Sequence, residues 1–163
     1  MSETDEAAPP TERVFLVVID ESAEMKVALR YACRRARKTG GRVALLYVLE
    51  PADYQHWVAV GDLMREERRA AAERLLQRLA AKVNVWIGSF PVIYVREGNP
   101  VEELIKLTEE EPSISILVLG AAVGPKGPGP LISTLAGKHI GRLRVPLTIV
   151  PGDLTYKDIR KIS

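Results

Sequence analysis
The stretch Ser115 to Thr134, SILVLGAAVGPKGPGPLIST, passes from an apolar run into a segment of glycines and prolines and ends on a hydroxyl pair. A short apolar run bounded by turn signals fits a strand buried on both faces, the mark of a parallel sheet. The run is expected to stop at Gly120, with a helix starting near Ser133. Buried strand, glycine loop and helix N-terminus, in that order, suit an anionic ligand, because unpaired N–H groups and the positive helix end converge there.

Outward from this stretch the chain alternates. Arg13 to Ile19, RVFLVVI, reads as a strand that delivers Asp20 at its C-terminal end, and Ser22 is placed to cap the next helix. Met25, Leu29, Ala32, Cys33 and Ala36 form a helical stripe closed by Gly40-Gly41. Arg42 to Leu49 is a second strand, Leu63 to about Val83 a long helix, and Pro91 to Val95 a third strand. Gly98-Asn99-Pro100 turns into a helix carrying Val101, Leu104 and Ile105, which Pro112 ends. Ser115 to Leu119 is the fourth strand, Ser133 to about Leu143 a helix, and Pro146 to Val150 the fifth strand. Ala52 to Asp62 matches no regular element, and its Tyr54, His56 and Trp57 read as a connection packing its own side chains. Five strands alternating with four helices require crossovers, so the expected fold is α/β, a single doubly wound parallel sheet. Ligands of such sheets bind beyond the strand C-termini where the winding reverses. If the first and fourth strands meet there, Asp20 and Gly120 share one crevice.

The totals narrow the function classes. The 163 residues, 47% apolar and 27% charged, suit one domain with a full core. A net charge of +2 is too weak a field to argue for nucleic acid. The single Cys33 points to a reducing compartment and otherwise reads as core filler. MSETDEAAPPTE lacks the basic start and apolar block of a secretory leader, and no run approaches the roughly 18 apolar residues of a membrane span. The expectation is a cytoplasmic protein with a disordered tail over 1–12, a domain over 13–151 and a polar tail over 152–163. No metal is assigned, since His56 lacks partners at ligand spacing, and His139 reads as a core or boundary histidine. Arg34-Arg35-Arg37-Lys38 reads as a solvated helix end with no aromatic residue interleaved. No positioned base, nucleophile pair or metal cluster assigns catalysis.

Val17-Val18-Ile19-Asp20, Leu45-Leu46-Tyr47-Val48, Gly98-Asn99-Pro100 before a helix, and Leu117-Val118-Leu119-Gly120 before a glycine loop together resemble the universal stress protein family. The resemblance runs from about Arg13 to Val150. It implies a sheet in the order 3-2-1-4-5, of the adenine-nucleotide alpha-hydrolase-like type, and a homodimer through the last strand, Pro146 to Val150. In the nucleotide-binding branch it implies a site for ATP or AMP, with or without Mg²⁺. Carried over residue by residue, that site is Ile19, Asp20, Val48, Leu119, Gly120, Gly124, Ser133 and Thr134.

The branch's loop pattern, G-x2-G-x9-G-[ST], is only partly kept. Gly120 matches the first glycine; the second falls one residue late at Gly124, or on Val123 without an insertion. The final pair falls on Ser133-Thr134, which keeps the hydroxyl and loses the glycine. Pro125, Pro128 and Pro130 remove three N–H donors, for which Lys126 or Lys138 could substitute a point charge. The phosphate subsite is therefore expected to be weakened, and the adenosine end, with Asp20 as acceptor and Val48 as wall, to be kept. Three readings follow: a stress-response regulatory or sensory module that binds an adenine nucleotide, a protein-interaction dimer with a decayed site, and a slow ATP hydrolase.

Overall fold
A computed structural model describes residues 13–51 and 58–163, so the expectations for residues 1–12 and for Tyr54, His56 and Trp57 lie outside the described residues. Five strands, β1 (Val14–Val18), β2 (Arg42–Leu49), β3 (Val92–Glu97), β4 (Ile114–Ala121) and β5 (Leu147–Pro151), form one sheet in the order β3-β2-β1-β4-β5. Every neighbouring pair is parallel. The helices are α1 (Ala23–Thr39), α2 (Val58–Ile87), α3 (Pro100–Glu110), α4 (Pro130–Ala136) and α5 (Tyr156–Ile162), with a 3₁₀ turn over Ile140–Arg142.

The apolar strands are continuous because both faces are covered. Phe15, Val17 and Ile19 point into a core shared with α1 and α2, whereas Val14 and Leu16 point into one shared with α3 and α4. Leu16, Val17, Leu45, Leu117 and Leu104 are fully enclosed, each contributing roughly 1.5–3 kcal/mol of burial. Local chemistry sets the helix starts. The Ser22 hydroxyl accepts from the Met25 N–H at 3.2 Å, and the Asn99 carboxamide accepts from Val101 and Glu102 at 3.0 and 3.1 Å, ahead of Pro100 in the first turn.

Three expectations need correction. First, β4 does not stop at Leu119: Gly120 and Ala121 pair with Val150 and Pro151, and the Gly152 N–H closes on the Ala121 carbonyl at 2.8 Å. Second, α4 starts at Pro130 rather than Ser133, because Gly129 takes φ 109° as the cap and Pro130 suits a first helical position. It ends at Ala136, short of Leu143. Third, α2 runs from Val58 to Ile87, beyond the expected Leu63 to Val83 at both ends. The polar segment after β5, whose order the sequence left open, holds α5, started by a capping box in which Thr155 and Asp158 each accept the other's N–H, and anchored by the buried Ile159.

At Gly120 the end of β4 and the start of α1 lie in close contact. A Cβ there would stand 2.2 Å from the Glu24 carbonyl oxygen and 3.0 Å from the Met25 nitrogen, and one on Gly152 would stand 2.5 Å from the Glu24 Cβ. The first turn of α1 thus lies on a floor from which two side chains are absent. Gly120→Ala should lower the unfolding free energy by about 2–3 kcal/mol in urea titration. Gly141→Ala, whose Cβ would meet nothing within 4 Å, should change it by less than about 0.5 kcal/mol. Equal effects would show that the close approach is not the constraint.

Candidate functional site
At the C-terminal ends of β1 and β2, next to where the sheet winding reverses, a crevice of about 540 Å³ opens. This is within the usual range for small-ligand sites. β1 supplies its edge through Val18, with Ile19 and Asp20 following, while β2 supplies Tyr47 and Val48. The far wall is made by the start of α3 and by α4, through Leu131 and Thr134. A smaller recess of about 140 Å³ adjoins it, sharing Val18, Asp20, Pro130 and Leu131, and is lined by Leu119 and Gly120 at the end of β4.

The eight residues singled out from the sequence separate into groups. Ile19, Asp20, Val48 and Thr134 line the crevice, and Leu119 and Gly120 line the recess. Gly124 and Ser133 line neither and are exposed. Ser133 lies inside α4, its N–H donating to the Gly129 carbonyl at 3.1 Å, so it caps nothing. Gly120 serves the approach of α1, its missing side chain matching the Glu24 carbonyl. Lys126 and Lys138 do not line the crevice; the cation that does is Arg68 of α2, with His139 nearby.

Asp20 is oriented by the helix it precedes. Its Oδ1 accepts from the Ser22 N–H at 2.8 Å and from the Ser22 hydroxyl, which in turn accepts from Met25. Oδ2 accepts from no group among the described residues and is left to solvent or a ligand. Burial first, and then the charges of Glu21 and Asp20 against the opposing pull of Arg68, raise the Tyr47 phenol above its ordinary value of 10.0. It therefore remains a neutral O–H on the crevice wall at neutral pH. The Ile19 N–H is already given to the Leu46 carbonyl at 2.7 Å.

The loop between β4 and α4 uses its own donors. The Ala122 N–H bonds to the Pro128 carbonyl at 3.1 Å and the Gly127 N–H to the Gly124 carbonyl at 3.2 Å. Together with the three prolines, this leaves few N–H groups to cradle a phosphate.

At the rim, Arg142 grips Glu102 with two hydrogen bonds of 2.8 Å, and its Nη1 also lies 3.0 Å from Nδ1 of His139. A guanidinium can only donate, so Nδ1 is the acceptor and Nε2 carries the ring proton. His139, expected as a core or boundary residue, is half-buried and lines the crevice. No local pattern marks this cluster, because Glu102 and Arg142 stand 40 residues apart.

The model of the universal stress protein family matches residues 12–151. The universal stress protein UspA from Lactobacillus plantarum superposes with a TM-score of 0.72 at 19% identity, covering 85% of this chain and 97% of its own. A universal stress protein solved in complex with cAMP gives a TM-score of 0.58 at 16% identity, over 88% of this chain and 99% of its own. One from Archaeoglobus fulgidus in complex with dAMP gives 0.55 at 15% identity, over 85% and 97%. At these identities the structures speak for the fold. No curated protein sequence matches the chain.

The rim pair makes a pH prediction. Hydrogen bonding from Arg142 holds Glu102 below its ordinary 4.5. A carboxylate depressed in the folded state contributes stability above its unfolded pKa and loses it as pH falls through the lowered value. Urea midpoints of the wild type should therefore fall more steeply than those of Glu102→Gln between roughly pH 6 and pH 3. Parallel profiles would mean the pair contributes nothing.

Proposed function
Since the chain belongs to the universal stress protein family, we propose that it binds an adenine nucleotide in the crevice beyond β1 and β2, acting as a stress-response regulatory or sensory module. The observation that carries this reading is the juxtaposition of an oriented carboxylate, Asp20, with an apolar wall at Val48 and the hydroxyl of Thr134 around one cavity of ligand size. Asp20 Oδ2 accepts a hydrogen bond from the ribose or base, Val18, Val48 and Leu131 pack against the ring, and Arg68 supplies charge near the entrance. Relatives solved with cAMP and dAMP support a nucleotide of this class.

The phosphate end is the weak part. With loop donors turned inward and three prolines present, the β- and γ-phosphates of ATP gain little, so AMP and ATP bind within a few-fold of each other. The same observation favours the second reading, in which the nucleotide site has decayed and the fold serves as an interaction dimer. That dimer forms through Pro146 to Val150. β5 is a sheet edge presenting Ile149 at 41% exposure, and such an edge gains from pairing.

Two experiments separate these readings. AMP at about 100 times its Kd should stabilise the fold by about 2.7 kcal/mol, a rise in Tm of roughly 5–10 °C, with or without Mg²⁺. Asp20→Ala should weaken binding about tenfold, while Ser133→Ala, at an exposed position outside the crevice and the recess, should not. No shift with any adenine nucleotide leaves the interaction dimer; an unchanged Asp20→Ala places the ligand elsewhere. Ile149→Glu should convert the dimer to monomer in light scattering, and a persistent dimer would move the interface off β5.

A further inference from the structure
The arginine-rich end of α1 lies over a second cavity, of about 480 Å³, that shares no residue with the crevice. Arg30, Cys33, Arg34, Arg37 and Lys38 line it. Their spacing of three, four, seven and eight residues puts them on one face of the helix. Trp86 of α2 and Tyr156 of α5 wall the other sides. No aromatic residue interleaves with these cations along the chain; the rings come from positions 48 and 118 residues beyond Lys38.

No carboxylate lines this cavity, and among the described residues none of its four cations is in an ion pair. Arg30 with Arg34, and Arg34 with Lys38, are like charges four apart on a helix, an arrangement that costs stability. A face needed only for solvation would intersperse acids.

Two of the cations are also held in place. The Arg30 guanidinium lies 4.3 Å from the Trp86 ring centre and 4.4 Å from that of Tyr156, and Arg34 Nε donates to the Ser163 hydroxyl at 2.8 Å. Arginines fixed in this way lose little freedom on binding and match phosphate oxygens in pairs. Because Arg30 takes the ring faces turned toward it, the cavity offers charge rather than a stacking surface. Beneath it, burial pushes the Cys33 thiol up to about 12, so the thiol adds no negative charge. A hydrogen bond from Arg30 first, and then the charges of Arg30, Arg34 and Arg160, lower the Tyr156 phenol below its ordinary value.

We propose that this cavity binds a compact oligophosphate, a chain of two or more linked phosphate groups, supplied by an inorganic oligophosphate or by the tail of a nucleotide. Its concavity and volume suit a small solute. The site does not depend on nucleotide binding in the crevice.

The test uses the full chain carrying Trp57→Phe, which leaves Trp86 as the sole tryptophan. Inorganic tripolyphosphate should change the Trp86 fluorescence saturably, with affinity falling as salt rises. Arg34→Gln combined with Arg37→Gln should weaken it about a hundredfold, about tenfold for each lost charge-assisted contact. Should that variant unfold, Arg37→Glu with Lys38→Glu, both at exposed positions, should abolish the response in a folded protein. Asp20→Ala should leave it intact, which separates this site from the crevice. Equal affinity for ATP and tripolyphosphate in the Asp20→Ala background identifies the phosphate chain as the recognised group, and tighter ATP identifies the nucleotide as its source. A response that survives the arginine variants, disappears with Asp20→Ala, or is exceeded by a hexaglutamate peptide overturns the proposal.

Discussion

The close approach of the first turn of α1 to the end of β4 is the constraint on which the upper face of the molecule depends. The Glu24 carbonyl occupies the place where a side chain at position 120 would begin, and the Glu24 side chain occupies the corresponding place at position 152. Only glycine permits contacts of 2.2 and 2.5 Å to a built Cβ. This packing fixes the height at which α1 starts, and with it Ser22, whose hydroxyl joins the Met25 N–H to the Asp20 carboxylate. A crevice carboxylate, a helix cap and an interlayer contact are therefore one mechanical unit.

The charge around the crevice is mixed rather than uniformly positive. Asp20, Glu50 and Glu102 line it together with Arg68, and Arg142 neutralises Glu102 from outside. A site built for a chain of phosphates would concentrate donors, whereas this one spends its loop donors internally. The proposed preference for the nucleoside end follows from that distribution.

α1 carries different chemistry at its two ends. Its N-terminus is capped and pressed against glycines beside the crevice, while its C-terminal half bears an uncompensated cationic face under α2 and α5. Ser163, which follows α5, donates its hydroxyl to the Ile159 carbonyl and accepts from Arg34, tying α5 to that face. The polar segment after β5 is what gives the arginine cavity one of its walls.

By itself the sequence determined the alternation of strands and helices, the parallel sheet and the presence of Asp20 at a strand end, while the strand order was implied by the family resemblance. Apolar period, cap residues and turn glycines are local signals, and local hydrogen bonding obeys them. The resemblance, carried over residue by residue, also put Ile19, Val48 and Thr134 in one site with that carboxylate; Ile19 follows β1, Val48 lies near the end of β2 and Thr134 lies within α4. What only the tertiary structure decided is what each group faces. Gly120 matches a helix carbonyl, Ser133 and Gly124 stand outside the crevice, and Arg68 and the Glu102–Arg142–His139 cluster border it. Trp86 and Tyr156 likewise meet the arginines of α1. These contacts join residues tens of positions apart through sheet register and helix packing, and such distances leave no period in the chain for a reader to find.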